Sequence, residues 1–121
     1  MRGDEERVIV AFCSWLEQNG WTNIRREAEF VDIVAERAGQ TLYAEAKGRT
    51  SSPGLDVDTL YGQLLRRMQH PEAQARYAVV VPSSALGAVL RVPDWVRARL
   101  NIDVYGVDPE GNVSAEPQLL A

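Results

Sequence analysis

At 121 residues, with 45% hydrophobic and 25% charged side chains, the chain has the length and balance of one soluble globular domain spanning residues 1–121. Its formal net charge of -4 argues mildly against a nucleic-acid binder, because phosphate affinity normally draws on clustered Lys and Arg, although arginines do cluster at Arg25-Arg26 and Arg66-Arg67. No apolar run reaches the roughly 18 residues needed to cross a bilayer, MRGDEER is not a signal peptide, and the single Cys13 allows neither an internal disulfide nor a zinc cluster, so a cytoplasmic protein without a membrane partner is expected.

Residues 4–18 predict an amphipathic helix with Asp4 as its N-cap and Asn19-Gly20 as its stop. Glu5, Ile9, Phe12 and Leu16 fall on one stripe, so Glu5 sits at the end of the face that packs inward. From the residues alone Glu5 is a first-turn acid that favours the helix dipole and points to water. Cys13, among Ala11, Phe12 and Trp15, is a small buried hydrophobe. Residues 21–29 form a first strand with Arg25 and Arg26 outward; the pair either meets a phosphate backbone or serves as the charged face of an edge strand.

Residues 30–49, FVDIVAERAGQTLYAEAKGR, carry two alternating runs around Ala38-Gly39: Val31, Ile33 and Ala35 on one face, then Leu42, Ala44 and Ala46 on the matching face. This is an antiparallel hairpin. With a symmetric loop of two or four residues, paired positions share one sum, which sets Asp32 opposite Glu45. Opposed carboxylates about 5 Å apart repel unless something positive lies between them, so a cation is implied. Two hard oxygen ligands with open coordination positions suit Mg²⁺ or Mn²⁺. Lys47 projects from the same face about 7 Å further along and can orient a water or neutralise developing phosphorane charge. The chemistry this suggests is phosphodiester hydrolysis, with the alternative that the strand face is merely solvated and holds one surface ion pair.

Gly48 to Gly54 is a turn-rich stretch in which Arg49 and Thr50 either line a phosphate path or belong to a plain connector. Residues 56–70 predict a second helix with Leu60, Leu64, Met68, Tyr61 and Leu65 as its apolar stripe and Gln63 at the border. Gly62 costs about 1 kcal/mol against Ala in a helix, which points to a close approach at that turn. His70, before Pro71, serves the helix end or solvent and receives no catalytic role. Residues 77–81, YAVVV, form a strand buried on both faces and parallel to an earlier one. From Ser83 a helix follows in two pieces broken at Pro93, the second anchored by Trp95, Val96 and Leu100. Residues 102–107 and 113–115 make a terminal hairpin, and Leu119 and Leu120 are available to a partner subunit.

Asp32 followed, after twelve residues, by Glu45-Ala46-Lys47 resembles the D…(D/E)xK signature of the PD-(D/E)xK nuclease superfamily, which includes restriction endonucleases and Holliday-junction resolvases. Val31 departs from the Pro that often precedes the aspartate. The resemblance implies an α/β fold with a restriction-endonuclease-like αβββαβ core, a mixed sheet flanked by helices, spanning Glu5 to Val81, with the C-terminal helix and hairpin as additions. It also implies Asp32, Glu45 and the Ala46 backbone carbonyl as ligands for Mg²⁺ or Mn²⁺, with Lys47 positioning the attacking water. Gln63, in Tyr61-Gly62-Gln63-Leu64, is similar to accessory positions that hold the lysine or substrate. Glu5, or its neighbour Glu6, corresponds to a first-helix glutamate that joins the metal or its water. The expected function is a metal-dependent DNA endonuclease. One site per chain makes a homodimer the route to cutting both strands. The rival expectation is a non-catalytic module that binds nucleic acid or a partner protein on the same fold, against which the intact Asp32, Glu45, Lys47 set argues.

Overall fold

The computed structural model describes residues 2–49 and 51–116. Thr50, Leu119 and Leu120, each given an expectation above, lie outside the described residues. Helix α1 (Arg2–Gln18) leads into strands β1 (Thr22–Ala28), β2 (Val31–Arg37) and β3 (Gln40–Ala46). Helix α2 (Pro53–Arg67) then precedes β4 (Ala75–Pro82). A 3-10 turn at Ser83–Ala85, the short helices α3 (Leu86–Val89) and α4 (Asp94–Arg99), and strands β5 (Ile102–Val107) and β6 (Val113–Glu116) complete the chain.

The six strands form one mixed sheet in the order β1-β2-β3-β4-β5-β6. β1, β2 and β3 are antiparallel neighbours, β3, β4 and β5 run parallel, and β6 returns antiparallel to β5. Helix-containing connections are what parallel neighbours require, and α2 and the α3–α4 segment supply them. The sheet is covered on both faces. Val8, Ile9, Phe12 and Leu16 of α1 pack on Ile33, Leu42, Val80 and Val107. Val57, Leu60, Tyr61 and Leu64 of α2 pack on Val34, Tyr43, Val79 and Val104. This is the expected α/β arrangement of a mixed sheet flanked by helices. Among the described residues no helix is long and apolar enough to cross a membrane.

Several local expectations are corrected. α1 begins before Asp4, so that carboxylate is not an N-cap; it accepts from Arg7 Nε at 3.1 Å and from the Arg49 backbone N–H. α2 starts at Pro53, whose missing N–H is no loss in a first turn, and stops at Arg67. Its buried stripe consequently shifts back to Val57, and Leu65 is left 46% exposed. A side chain at Gly62 would meet only the Arg66 guanidinium, at 3.4 Å, so no backbone crowds that turn. In α4 the buried residue is Arg97, held by Val92 O at 3.1 Å and Asp94 at 2.8 Å, whereas Trp95 lies outside with the Arg99 guanidinium 5.6 Å from its ring. A six-residue helix has little inward face, and here the arginine occupies it. Val31 also leaves its expected company: Ile33 and Ala35 face α1, but Val31 joins the cluster on the α2 side.

Gly48 joins α1 to the end of β3. A Cβ at this position would sit 2.8 Å from the Glu5 Cα and closer still to the Glu5 backbone nitrogen. Because the obstacle is backbone, no rotamer change relieves it. Gly48→Ala is expected to lower stability by about 1–3 kcal/mol, as overpacking does, measured by urea denaturation with an unchanged m-value.

Candidate active site

The β2–β3 hairpin closes through a two-residue turn, Ala38-Gly39, with φ of 51° and 80°. Both angles lie in the left-handed region that a type I′ turn demands, which Gly39 supplies without strain. Paired residues run from Arg37↔Gln40 to Ile33↔Ala44, all with the same sum, so the expected register holds up to the residues next to Asp32 and Glu45. The ladder itself stops at Ile33↔Ala44. Beyond it the Ala46 N–H donates to Asp32 Oδ2 at 2.8 Å, so a side-chain oxygen takes the bond that a backbone carbonyl would have accepted. On the other side β3 continues its parallel pairing, and the Lys47 N–H donates to Val80 O at 3.0 Å. The two contacts fix the end of β3 from both sides.

Asp32, Glu45, Lys47 and Gln63 line one cleft of about 1020 Å³, at the upper end of the range for small-ligand sites. Glu5 reaches it from α1. Glu45 is only 6% exposed, and its carboxyl is pushed up to about 7. Burial is the main cause, the charge of Asp32 adds to it, the Asp32 backbone works against it, and the charge of Glu5 adds a smaller push. A buried acid that exchanges its proton near neutrality, beside a second acid, is suited to proton transfer or to a divalent cation that relieves the repulsion. Five acids line the cleft, Glu5, Glu27, Glu29, Asp32 and Glu45, yet among the described residues no three His, Cys, Asp or Glu side chains converge tightly enough to hold a metal ion unaided. A cation there would rely on Asp32, Glu45 and backbone or water oxygens.

The remaining sequence-derived residues are distributed differently. Glu6 turns away from the cleft and receives both terminal nitrogens of Arg26, at 2.6 and 2.8 Å. Arg25 pairs with Glu36 at 3.2 Å and Glu29 at 3.5 Å. Both arginines therefore have intramolecular acid partners on an edge strand. Arg26 and Arg49 line an adjoining cavity that shares Asp32 and Lys47 with the first, and the Arg49 backbone is tied to Asp4. Burial draws the Asp4 carboxyl upward, but the Arg49 N–H and the Arg7 guanidinium outweigh it and hold the group below its ordinary range. Cys13 is half-buried, and burial pushes its thiol up, away from the thiolate a nucleophile needs.

Cleft residues that sequence reasoning did not assign are Phe30, Arg66, Arg67 and His70. Arg66 and Arg67 follow Gln63 by three and four positions, the spacing of one helix face, so helical periodicity could have found them. Arg67 lies over the Tyr43 ring at 3.7 Å and pairs with Glu72 at 3.2 Å and Glu29 at 3.9 Å. Among the described residues Arg66 makes no ion pair, and its side chain is exposed at the cleft.

No protein-family model and no curated protein matches this chain. Two solved structures are similar to it. One is an FdxN element excision controlling factor protein from Anabaena variabilis, with a TM-score of 0.66 and 19% identity, covering 90% of this chain and 96% of that one. The other is an XisH family protein from Nostoc punctiforme, with a TM-score of 0.60 and 22% identity, covering 94% of this chain and 98% of that one. At these identities the likeness shows a shared fold over nearly the whole of each chain.

The raised Glu45 pKa has a consequence for stability. In the unfolded chain the carboxyl titrates near its ordinary 4.5 and in the folded chain near 7, so stability contributed by the protonated form is full below pH 4.5 and is lost as pH rises through 7. Glu45→Gln removes that loss. In EDTA the variant is expected to be more stable than the parent at pH 8 by about 1–3 kcal/mol and to show no such gain at pH 4, read from paired urea titrations.

Proposed function

We propose that this protein is a metal-dependent DNA endonuclease that hydrolyses phosphodiester bonds and belongs with the PD-(D/E)xK nucleases. The observation that carries the reading is the meeting of Asp32, Glu45 and Lys47 in one cleft, with Glu45 buried under uncompensated negative charge. That charge is what a divalent ion offsets, and the oxygen-only donor set suits Mg²⁺ or Mn²⁺. Asp32, Glu45 and the Ala46 carbonyl would hold the ion, and Glu5 would contact its water shell. When bound, such an ion polarises the phosphoryl oxygens and favours hydroxide over water.

The side chains divide the remaining work. Lys47 would position the attacking water and stabilise charge that grows on the phosphoryl oxygens. Gln63, exposed on α2, would hold the substrate phosphate or the lysine amine. Arg66 brings a positive charge to the α2 side of the cleft, where it would meet a flanking phosphodiester. Arg49, in the adjoining cavity, would add a more distant backbone contact, and Arg25 and Arg26 would do so only if their ion pairs open. One site per chain cuts one strand, so duplex scission would need a homodimer or two encounters. The reading puts the protein with cytoplasmic DNA.

A second reading has its own support. The tight pairing of Arg25 and Arg26 removes positive charge from DNA, and one similar structure is described as a controlling factor for element excision, which is not by itself a cleavage role. On that reading the fold is a non-catalytic module that binds DNA or a partner protein.

Incubation of the full chain with duplex, branched and single-stranded DNA in Mg²⁺ or Mn²⁺ is expected to give cleavage of at least one substrate. Asp32→Ala and Lys47→Ala are each expected to reduce its rate at least 100-fold. Mn²⁺ at about 100 times its dissociation constant is expected to stabilise the parent by about 2.7 kcal/mol and to leave Asp32→Ala unmoved. Metal stabilisation without cleavage of any substrate would select the binding module; the absence of both responses would remove the metal site itself.

A further inference from the structure

We propose that Phe30 is a base-stacking residue that directs the cleft to DNA with an unpaired base beside the phosphodiester it acts on; the inference rests on the nuclease reading and names its substrate class. Phe30 is 102% exposed, the most exposed of the large hydrophobic side chains, and it lines the same cleft as Asp32, Glu45 and Lys47. It occupies the second position of the two-residue turn between Ala28 and Val31, with Glu29 at φ 50° and Phe30 at φ 68°. Turns of this geometry favour Asn and Gly, and a bulky aromatic in the left-handed region is a genuine outlier. Neither burial nor turn preference accounts for a phenylalanine here. Strained, exposed positions at the edge of a site are where a ligand-binding role is found.

The charges around the cleft set the orientation of a bound strand. The wall formed by α2 and the residues just after it carries Gln63, Arg66 and His70, which would receive phosphates. The opposite wall carries Glu27 at the end of β1 and Glu29 in the turn, the latter paired with Arg25 and Arg67; their carboxylates would accept hydrogen bonds from base amino groups rather than receive phosphates. The two walls approach closely, since Arg67 of α2 reaches Glu29 at 3.9 Å. A strand in the cleft is thereby held with its backbone along α2 and its bases toward the turn. A base inside an intact duplex has both faces covered by its neighbours, whereas an unpaired base offers a face to an aromatic ring. Flaps, junction branches and single strands satisfy this condition; blunt duplex does not.

The test uses the full chain in Ca²⁺ and a 5′-flap duplex with 2-aminopurine at the first unpaired position, compared with a blunt duplex of the same sequence. The parent is expected to quench the 2-aminopurine and to bind the flap at least tenfold more tightly than the duplex. Phe30→Ala is expected to lose the quenching and about tenfold of the flap affinity with duplex affinity unchanged, and Phe30→Trp to retain both. Phe30→Gly should be at least as thermally stable as the parent, because glycine accepts the left-handed turn, while binding like Phe30→Ala. Equal loss on both DNAs, no loss at all, no DNA binding by the parent, or conversion of a dimer to a monomer by Phe30→Ala in sedimentation would each overturn the proposal. Cleavage that ignores Phe30 would sink this inference and leave the nuclease reading standing. Phe30-dependent flap binding without cleavage in Mg²⁺ or Mn²⁺ would do the reverse.

Discussion

Where β2 and β3 part, the Ala46 N–H has lost its ladder partner and is satisfied instead by the carboxylate of Asp32. An unpaired buried amide costs roughly 1–3 kcal/mol, so this single bond is enough to decide where the aspartate points. Once Asp32 is held there, its charge lies beside Glu45, which the parallel β3–β4 pairing keeps buried. Like charges held side by side in a partly dehydrated site repel, and the charge of Asp32 pushes the Glu45 carboxyl upward. The fold therefore stores an electrostatic conflict at one strand end. Uptake of a proton by Glu45 resolves it near neutral pH; a bound cation would resolve it at higher pH as well.

The same strand end organises its surroundings. Gly48 lets the α1 backbone come against β3, and Asp4 then ties the Arg49 amide to the first turn of that helix. Glu5, one residue on, arrives at the cleft as a result of that docking. Its place depends on a glycine and a hydrogen bond some forty residues away in sequence, neither of which helical periodicity along α1 can reveal.

What could be read from the residues was whatever a local period encodes. The alternation of residues 31–46 and the Ala38-Gly39 turn gave the hairpin and its register as far as Ile33↔Ala44, next to Asp32 and Glu45, which line one cleft. The apolar run 77–81 gave a strand buried on both faces and parallel to β3. Features decided by distant partners were not visible. The stripe of α1 favours Glu5 over Glu6, but the partner that holds Glu6 away, Arg26 of β1, is not visible from α1 alone. Arg97 inside and Trp95 outside invert the usual preference, because α4 is too short for its apolar residues to set the orientation. Val31 joins the cluster on the α2 side although β2 keeps its regular pairing with β1 through Ala28↔Val31, so no local period reveals it.

The two hairpins of the antiparallel half make an internal comparison. Each turns in two residues with both φ values positive, one through Ala38-Gly39 and the other through Glu29-Phe30. The first uses a glycine where the backbone asks for one and sits away from the cleft. The second uses an acid and an aromatic, forgoes the stability that glycine would supply, and sits at the edge of the cleft. The backbone problem is the same at both ends of β2, so backbone geometry does not account for the different choice. What differs is the neighbourhood: only the Glu29-Phe30 end faces Asp32 and Lys47, and only there would an exposed ring and two carboxylates have a bound strand to act on.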